Sequence, residues 1–285
     1  MPSTMLVLPG SLRAILAGAV DYAGLFPPAS LDLARAAAEY EAYRTGPDAW
    51  ALGRFVLPAS RLAELGPLVP SDVHGAPWSV SALVSSIEAD SAAIRDFNRA
   101  MRERAVVDAV EARTPTAADV ESLATLVSPA VEVYCELPRE AEIEAAVGAI
   151  AAIGARAKIR TGGVTPDAFP TTAQVLRVLR ACHELGVPFK ATAGLHHPLR
   201  GRYPLTYDAG APRGDMYGYV NLILGAVLLW MGEDEATVTA MFDERDRRSL
   251  HFGDDAVRWQ GHTLSVADIA QARAVFVRGF GACSF

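Results

Sequence analysis

The sequence predicts an α/β fold, namely a (β/α)8 or TIM barrel formed by a single domain over residues 1–285. The first observation is size, because 285 residues with 51% apolar composition can bury one large core. The second is the alternation of nearly continuous apolar, β-rich segments with helical patterns, which is typical of a parallel sheet covered by helices. The third is a spacing of roughly 25 residues per βα unit from Ala109 onward, which suits a barrel of about 250 residues.

Seven strands are predicted from apolar runs that end in glycine, proline or polar residues. They cover residues 17–26, 53–58, 78–86, 105–113, 130–138, 155–163 and 188–195. Helix-like segments follow six of these strands, and they cover residues 31–44, 60–65, 89–104, 117–126, 140–153 and 171–185. No glycine fingerprint follows the first strand, which disfavours a doubly wound open sheet.

The last part of the chain has the weakest pattern. Residues 249–265 are expected to supply the eighth strand or a hairpin, and residues 266–278 the helix that closes the barrel. Before them, residues 198–215 are rich in glycine and proline and show no helical period. Because a connection of that length inside a compact domain is usually functional, we expect a long active-site loop, a lid over the catalytic face.

Charge and composition restrict the partners and the cellular setting. The net charge of −7 disfavours a nucleic-acid partner, which requires a basic face. Cys135, Cys182 and Cys283 lack a CxxC spacing, which favours a reducing, cytoplasmic setting. The longest apolar stretch, residues 219–231, is too short to cross a bilayer, so no membrane partner is expected. Since that stretch is apolar nearly all round, it predicts a buried contact in a homo-oligomer.

Two lysines lie inside apolar, strand-like runs, Lys158 in RAKIRTGG and Lys190 in VPFKATAGLHHP. A buried lysine is costly unless it is paired or used, and burial lowers its pKa towards neutrality. Consecutive parallel strands aim both ammonium groups at one end of a barrel, where catalytic residues lie. The pair therefore favours an enzyme that acts on a small carbonyl compound.

The predicted catalytic residues are Lys158, Lys190, Glu136 and Glu111. A lysine kept neutral by a second cation can attack a ketone or aldehyde and form a Schiff base, which is an electron sink for making or breaking carbon–carbon bonds. Alternation along strands four and five directs both glutamates towards the same interior, as candidates for proton transfer. The sequence thus predicts a lyase of aldolase type that uses no cofactor.

An anionic group on the substrate is also predicted. Arg160 shares a strand face with Lys158, and a guanidinium suits a carboxylate or a phosphate. The turns TGG and TAG after strands six and seven expose backbone N–H groups that can bind anions. The predicted substrate-binding residues are Arg160, Thr161, Gly162, Thr192, His196 and Asp21.

The segment AKIRTGG…TTAQVLRVLRACHELGVPFKATAGL, residues 157–195, resembles the strand-six to strand-seven unit of the deoxyribose-phosphate aldolase family, which are class I aldolases on a TIM barrel. The resemblance implies that Lys158 forms the Schiff base and that Lys190 is the neighbouring lysine that perturbs it. The chain departs from the family pattern where Arg160 replaces a small polar residue and where His196 and His197 follow strand seven.

Two other functions remain open from the sequence. A metal-dependent lyase or hydrolase on the same barrel would bind a divalent ion with Asp21, Glu136, His196 and His197. Adjacent histidines usually point to opposite sides, whereas one ion is bound more easily by an HxH spacing. The third hypothesis is a barrel without catalysis that binds a ligand.

Overall fold

The computed structural model describes residues 8–73, 75–126, 128–139 and 142–285, and it contains a closed barrel of eight parallel strands. The barrel strands are β1 (Val20–Tyr22), β2 (Leu52–Pro58), β3 (Trp78–Val84), β4 (Ala105–Arg113), β5 (Glu132–Leu137), β6 (Arg156–Arg160), β7 (Phe189–Thr192) and β13 (Val277–Ala282). Their order around the barrel is β1, β13, β7, β6, β5, β4, β3, β2, and pairing of β2 with β1 closes the ring. The predicted fold class is confirmed.

Helices cover the outside of the barrel. They are α1 (Gly10–Leu16), α2 (Leu33–Arg44), α3 (Leu62–Leu65), α4 (Ile87–Met101), α5 (Ala117–Ser122), α6 (Ile143–Ala152), α7 (Thr172–Glu184), α8 (Tyr219–Met231), α9 (Glu235–Asp243) and α10 (Val266–Val275). Five of the predicted helices match α2, α3, α4, α5 and α7 within a few residues. The sixth, predicted over residues 140–153, matches α6 from Ile143 onward, and its first two residues lie outside the described part of the chain.

Side chains alternate between the helices and the barrel interior along each strand. On β6, Ala157 and Ile159 belong to the apolar core, whereas Lys158 lies between them and points to the interior. On β7, Phe189 and Ala191 belong to the same core and flank Lys190. The two lysines therefore enter the barrel because their apolar neighbours are buried against the helices.

The eighth barrel strand lies outside the segment predicted to form it. Residues 250–265 instead form an antiparallel sheet of β10 (Leu250–Phe252), β11 (Ala256–Trp259) and β12 (His262–Ser265) beside the barrel. The eighth strand is β13, with sequence VRGFGA. Its glycines weaken the strand pattern, yet a Cβ at Gly279 would collide with the carbonyl oxygen of Ala19. The helix predicted over residues 266–278 ends at Val275 and precedes the last strand.

The long connection after β7 contains regular structure that the sequence pattern did not predict. Residues 201–216 form an antiparallel hairpin of β8 (Gly201–Pro204) and β9 (Arg213–Met216). At its tip, the hydroxyl of Tyr207 lies 3.6 Å from the sulfur of Cys283, which follows β13. The hairpin thus reaches the C-terminal end of the barrel, on the side of β13.

Helix α8 coincides with the longest apolar stretch of the sequence. Residues 220–229 are all buried, and the helix packs against α7, α9, α10 and β13 of the same chain. Contacts within one chain therefore account for the apolar surface of α8 on all sides. The homo-oligomer stays a prediction, and α8 no longer supports it. Within the described ranges, no helix combines the length and apolarity that a bilayer crossing requires.

A buried amide on α8 gives a stability prediction. The Asn221 side chain donates to the carbonyl oxygens of Met241 at 2.8 Å and Glu244 at 2.9 Å, and accepts from the backbone N–H of Arg200 at 2.7 Å. Asn221→Leu removes all three bonds and leaves buried polar groups unpaired, so we expect the free energy of unfolding to fall by about 3 kcal/mol. Urea unfolding measures the change. Gln271→Leu, on the exposed face of α10, is the control, and equal stabilities of the two variants would contradict this role of Asn221.

Candidate active site

A cavity of about 430 Å³ opens at the C-terminal end of the barrel. We call it the upper cavity, and it is lined by residues of all eight barrel strands or of the loops that follow them. In this fold, active sites lie at that end of the strands. The volume is within the range of small-molecule sites.

A carboxylate shared by two lysines forms the floor of the upper cavity. Glu111 Oε2 lies 2.7 Å from Lys158 Nζ, and Glu111 Oε1 lies 2.5 Å from Lys190 Nζ. The hydroxyl of Ser81 donates to Glu111 Oε1 at 2.6 Å. All four side chains are buried. Because the carboxylate is held from three directions, it fixes the positions of both ammonium groups.

Each lysine has a second carboxylate partner. Lys158 Nζ lies 2.6 Å from Glu136 Oε2, and Lys190 Nζ lies 2.9 Å from Asp21 Oδ2. Strand register produces this arrangement, since Glu136 pairs with Lys158 and Lys158 pairs with Lys190 across β5, β6 and β7. Asp21 is oriented in turn by the backbone N–H of Arg54, which donates to its other oxygen at 2.8 Å.

The charges in this group are stabilised by one another. Burial acts to raise the pKa of Glu111, but the ammonium groups of Lys158 and Lys190 outweigh it and hold that pKa well below its ordinary value. Burial acts to lower the pKa of Lys190, but Asp21 and Glu111 outweigh it and raise that pKa. The sequence analysis expected burial to lower lysine pKa values, and for Lys190 that expectation is wrong because two carboxylates contact its ammonium.

The two lysines differ in what surrounds their ammonium groups. Besides its two carboxylates, the Lys190 ammonium lies over the ring of Tyr134, 4.4 Å from the ring centroid. Two carboxylates and an aromatic face therefore surround Lys190. Both lysines line the upper cavity, and the two carboxylate contacts of Lys158 leave one of its three donors for a ligand. Lys158 is the lysine better placed to react with a ligand.

Two arginines stand at the mouth of the upper cavity. Arg160 is exposed, and among the described residues it has one carboxylate contact, at 3.8 Å from Nη1 to Glu136 Oε1. Arg113, at the end of β4, is also exposed and lines the same cavity. The sequence analysis did not select Arg113 as a site residue, although alternation along β4 places it on the face of Glu111. Ser81 was also missed, and a lone serine in a strand gives no signal of its role.

The predicted substrate-binding residues fall into two groups. Asp21, Thr192 and His196 line the upper cavity together with Arg160. Thr161 does not, because its hydroxyl donates to the carbonyl oxygen of Ala193 at 2.8 Å and joins the ends of β6 and β7. Gly162 is also absent from the lining, since it is packed against Phe169 and Gly194. Thr161 and Gly162 therefore shape the ends of β6 and β7, and their contact with a substrate stays a prediction.

The four residues of the predicted metal site are not brought together. Asp21, Glu136 and His196 line the upper cavity, whereas the His197 ring stacks on Tyr203 of β8, with centroids 3.5 Å apart. Among the residues that the structure describes, no group of three or more His, Cys, Asp and Glu side chains could hold a metal ion. The metal-dependent enzyme and the ligand-binding barrel without catalysis stay predictions.

Beside the lysines, His196 and Cys283 line the wall of the upper cavity. The Cys283 sulfur lies 3.7 Å from His196 Nδ1. Burial and the neighbouring His197 lower the pKa of His196, so its ring is neutral at pH 7. From the sequence, Cys283 indicated only a reducing setting, and its position within the site was not predicted.

A second ionic group fills the N-terminal half of the barrel. Glu132 contacts Arg156 at 3.0 Å, Arg54 at 3.2 Å and Arg278 at 3.4 Å, and Arg54 also pairs with Asp108 at 2.8 Å. A polar cavity of about 290 Å³ lies beside this group, and we call it the lower cavity. Asp21 and Lys190 line both cavities, so their ion pair separates them.

Comparison of the chain with protein-family models and with curated proteins finds no match. The geometry of the upper cavity is therefore the basis for a function.

The paired charges predict a plateau in stability against pH. The folded pKa of Glu111 lies below its unfolded value of about 4.3, so its contribution is present above that pH and is lost as the pH falls towards the folded pKa. The folded pKa of Lys190 lies above its unfolded value of about 10.4, so its contribution is complete below that pH and is lost as the pH rises through the folded pKa. The contributions of Glu111 and Lys190 are thus both complete between about pH 5 and about pH 10. Within that range, the lowered pKa of His196 removes stability below about pH 6.5, and the raised pKa values of Cys135 and Cys182 remove it above about pH 8.5, so urea unfolding should show a flat region between about pH 7 and about pH 8.

Replacement of Glu111 tests whether this carboxylate causes the loss of stability at acid pH. Glu111→Gln leaves two buried ammonium groups with one carboxylate each, so we expect a loss of about 3–5 kcal/mol at neutral pH and a shallower fall in acid. Glu64→Gln is the matched control, because Glu64 forms an exposed pair with Arg61. If the free energy of unfolding falls as steeply in acid for Glu111→Gln as for the control, the loss of stability in acid belongs to other carboxylates.

Proposed function

We propose that the protein is a carbon–carbon lyase of aldolase type, in which Lys158 forms a Schiff base with a small carbonyl substrate. The observation that carries the proposal is the pair of lysines at the floor of the upper cavity, joined by Glu111. The barrel fold is compatible with such chemistry but does not select it, because this fold supports many unrelated reactions. The chemistry of the site residues supports the proposal.

The composition of the chain adds to this argument. Lys158 and Lys190 are the only lysines in 285 residues, and every other basic side chain of the Lys and Arg class is arginine. Arginine serves for surface charge and for structural ion pairs, but its guanidinium stays protonated and does not act as an amine nucleophile. Both lysines lie in the upper cavity, where a reactive amine has a use.

The first steps are assigned to Lys158 and Glu136. The Lys158 ammonium transfers a proton to Glu136, 2.6 Å away, and the free amine attacks the carbonyl carbon. A C–N bond forms, the carbonyl oxygen receives protons through Glu136, and water leaves. The products are an iminium ion on Lys158 and an ionised Glu136, so the proton lent by the ammonium is accounted for.

The iminium ion then serves as the electron sink. Cleavage of the bond between the α and β carbons sends its electron pair into the iminium and gives an enamine. The proton of the β-hydroxyl passes to a base, and an aldehyde leaves. Protonation of the enamine carbon and hydrolysis of the resulting iminium release the second product and restore Lys158.

Glu111 and Lys190 have fixed charges in this proposal. The low pKa of Glu111 makes it a poor carrier of protons, although the sequence analysis named it as a candidate for proton transfer. Lys190 keeps its proton and places a positive charge on the other side of Glu111. That charge offsets the pull of Glu111 on the Lys158 ammonium. Lys190 is thus a positioning and electrostatic residue.

The primary test is reductive trapping. Natural protein incubated with cyanoborohydride and a panel of aldehydes, ketones and oxo acids should gain the mass of one ligand, and peptide mapping should place the adduct on Lys158. Lys158→Met should give no adduct and stay folded, because Glu111 keeps its contacts with Lys190 and Ser81. Since the chain has only two lysines, the α-amino group is the single other amine to examine. Equal trapping by Lys158→Met would contradict the proposal.

A second prediction separates the two glutamates. Glu136→Gln removes the proton acceptor of Lys158, so we expect the rate of iminium formation to fall by a factor of about 10²–10⁴. The extent of adduct at long times should change much less, because the nucleophile remains. Rapid-quench trapping with the best ligand of the panel gives both quantities. An unchanged rate would assign the proton transfer to another group.

A further inference from the structure

The rim of the upper cavity has a charged side, here called the charged half, and an apolar side, here called the apolar half, and Thr192, His196 and Cys283 lie between them, on or after β7 and β13. The charged half follows β4, β5 and β6 and contains Arg113, Glu136 and Arg160. The apolar half follows β1, β2 and β3. Its side chains are Phe26, Pro27, Pro28, Val56, Leu83 and Val84.

Barrel strands supply part of the apolar half. Val56 and Val84 are buried strand residues that line the upper cavity, at 6% and 9% exposure. Among the cavity-lining residues on β1–β3 and their loops, Asp21 is the ionisable one, and it is paired with Lys190. A ligand that lies along this wall therefore meets carbon atoms and no free charge.

We infer that the substrate is an amphipathic oxo acid, with a carboxylate at one end, an aliphatic or aryl chain at the other and the reacting carbonyl between them. This inference rests on the proposed function for the carbonyl, but the division of the rim carries it. The carboxylate binds at Arg160 and Arg113, whose guanidinium groups are exposed at the mouth. The carbonyl lies at Lys158, and the chain lies against Val56, Leu83 and Phe26.

The apolar wall selects against a polyhydroxylated substrate. Hydroxyl groups placed along Val56, Leu83 and Val84 would lose water and gain no hydrogen-bond partner from those side chains, which costs binding energy. A methylene chain in the same place loses contact with water and gains affinity. The substrate class therefore differs from the sugar phosphates that the resemblance of residues 157–195 would suggest.

Simple carboxylic acids test this inference without any Schiff-base chemistry. Butanoate, pentanoate and hexanoate have no carbonyl that can be trapped, so their binding to natural protein reports the two halves of the rim alone. Affinity from NMR titration should rise about fourfold per added methylene, as burial of one CH₂ predicts. Hexanoate should also bind about tenfold more tightly than 6-hydroxyhexanoate, whose terminal hydroxyl meets the apolar wall. Equal affinities for these two ligands, or no gain with chain length, would overturn the inference.

Variants separate the two ends of the ligand. Val56→Thr puts a hydroxyl in the apolar wall with little change in shape and should weaken the binding of hexanoate at least threefold more than that of butanoate. Phe26→Ala removes an apolar side chain from the loop after β1 and should likewise weaken hexanoate more than butanoate. Arg160→Met should weaken all acids by a similar factor. Leu185→Ala, at an exposed apolar site after α7, is the control and should match natural protein. If Val56→Thr and Phe26→Ala both leave the gain in affinity with chain length intact, the apolar wall is not where the chain binds.

A chain-length gain in protein that shows no trapping on Lys158 would remove the Schiff-base proposal and the carbonyl of the inferred ligand, and would retain its carboxylate and its apolar chain.

Discussion

The carboxylate of Glu111 is the constraint around which the C-terminal half of the barrel is organised. It is 3% exposed and contacts two ammonium groups, so it ties the position of each lysine to that of the other. Buried ions are stable only where geometry and further hydrogen bonds compensate for lost hydration. Ser81, Asp21 and Glu136 supply that compensation. One side chain thereby couples the registers of β3, β4, β6 and β7, and it fixes the floor of the upper cavity.

The barrel contains two ionic layers of different chemistry. Near the N-terminal end, Glu132 is surrounded by Arg54, Arg156 and Arg278, and guanidinium groups hold a charge at every pH that a cell experiences. Near the C-terminal end, lysines replace arginines. An amine can give up its proton, whereas a guanidinium cannot. Along the barrel axis, the cations thus change from arginines around Glu132, which keep a fixed charge, to lysines around Glu111, which are of a type able to lose a proton.

The sequence predicted those features that leave a local signal. Period-two alternation around Lys158 and Lys190 shows which side chains enter a barrel, and it was sufficient to place both lysines and Glu136 in one cavity. The pattern reports burial but not partners, so Thr161 was assigned to the substrate although its hydroxyl bonds to a backbone carbonyl. β13 was missed because close contact with β1 requires Gly279, and glycine removes the strand signal. The roles of Ser81 and Arg113 depend on neighbours from other strands, which a local pattern does not reveal.

The position of β13 between β1 and β7 has a consequence for the newly made protein. Asp21 and Lys190 form their ion pair across this strand, although it comes last of the eight in sequence. During synthesis, a nascent chain that has already produced both lysines still has an open sheet edge where β13 will insert. The pairing of Asp21 with Lys190 therefore waits until nearly the whole barrel has left the ribosome, whereas Glu111, Glu136 and both lysines lie on neighbouring strands made earlier. The last strand to be made thus completes the floor of the upper cavity.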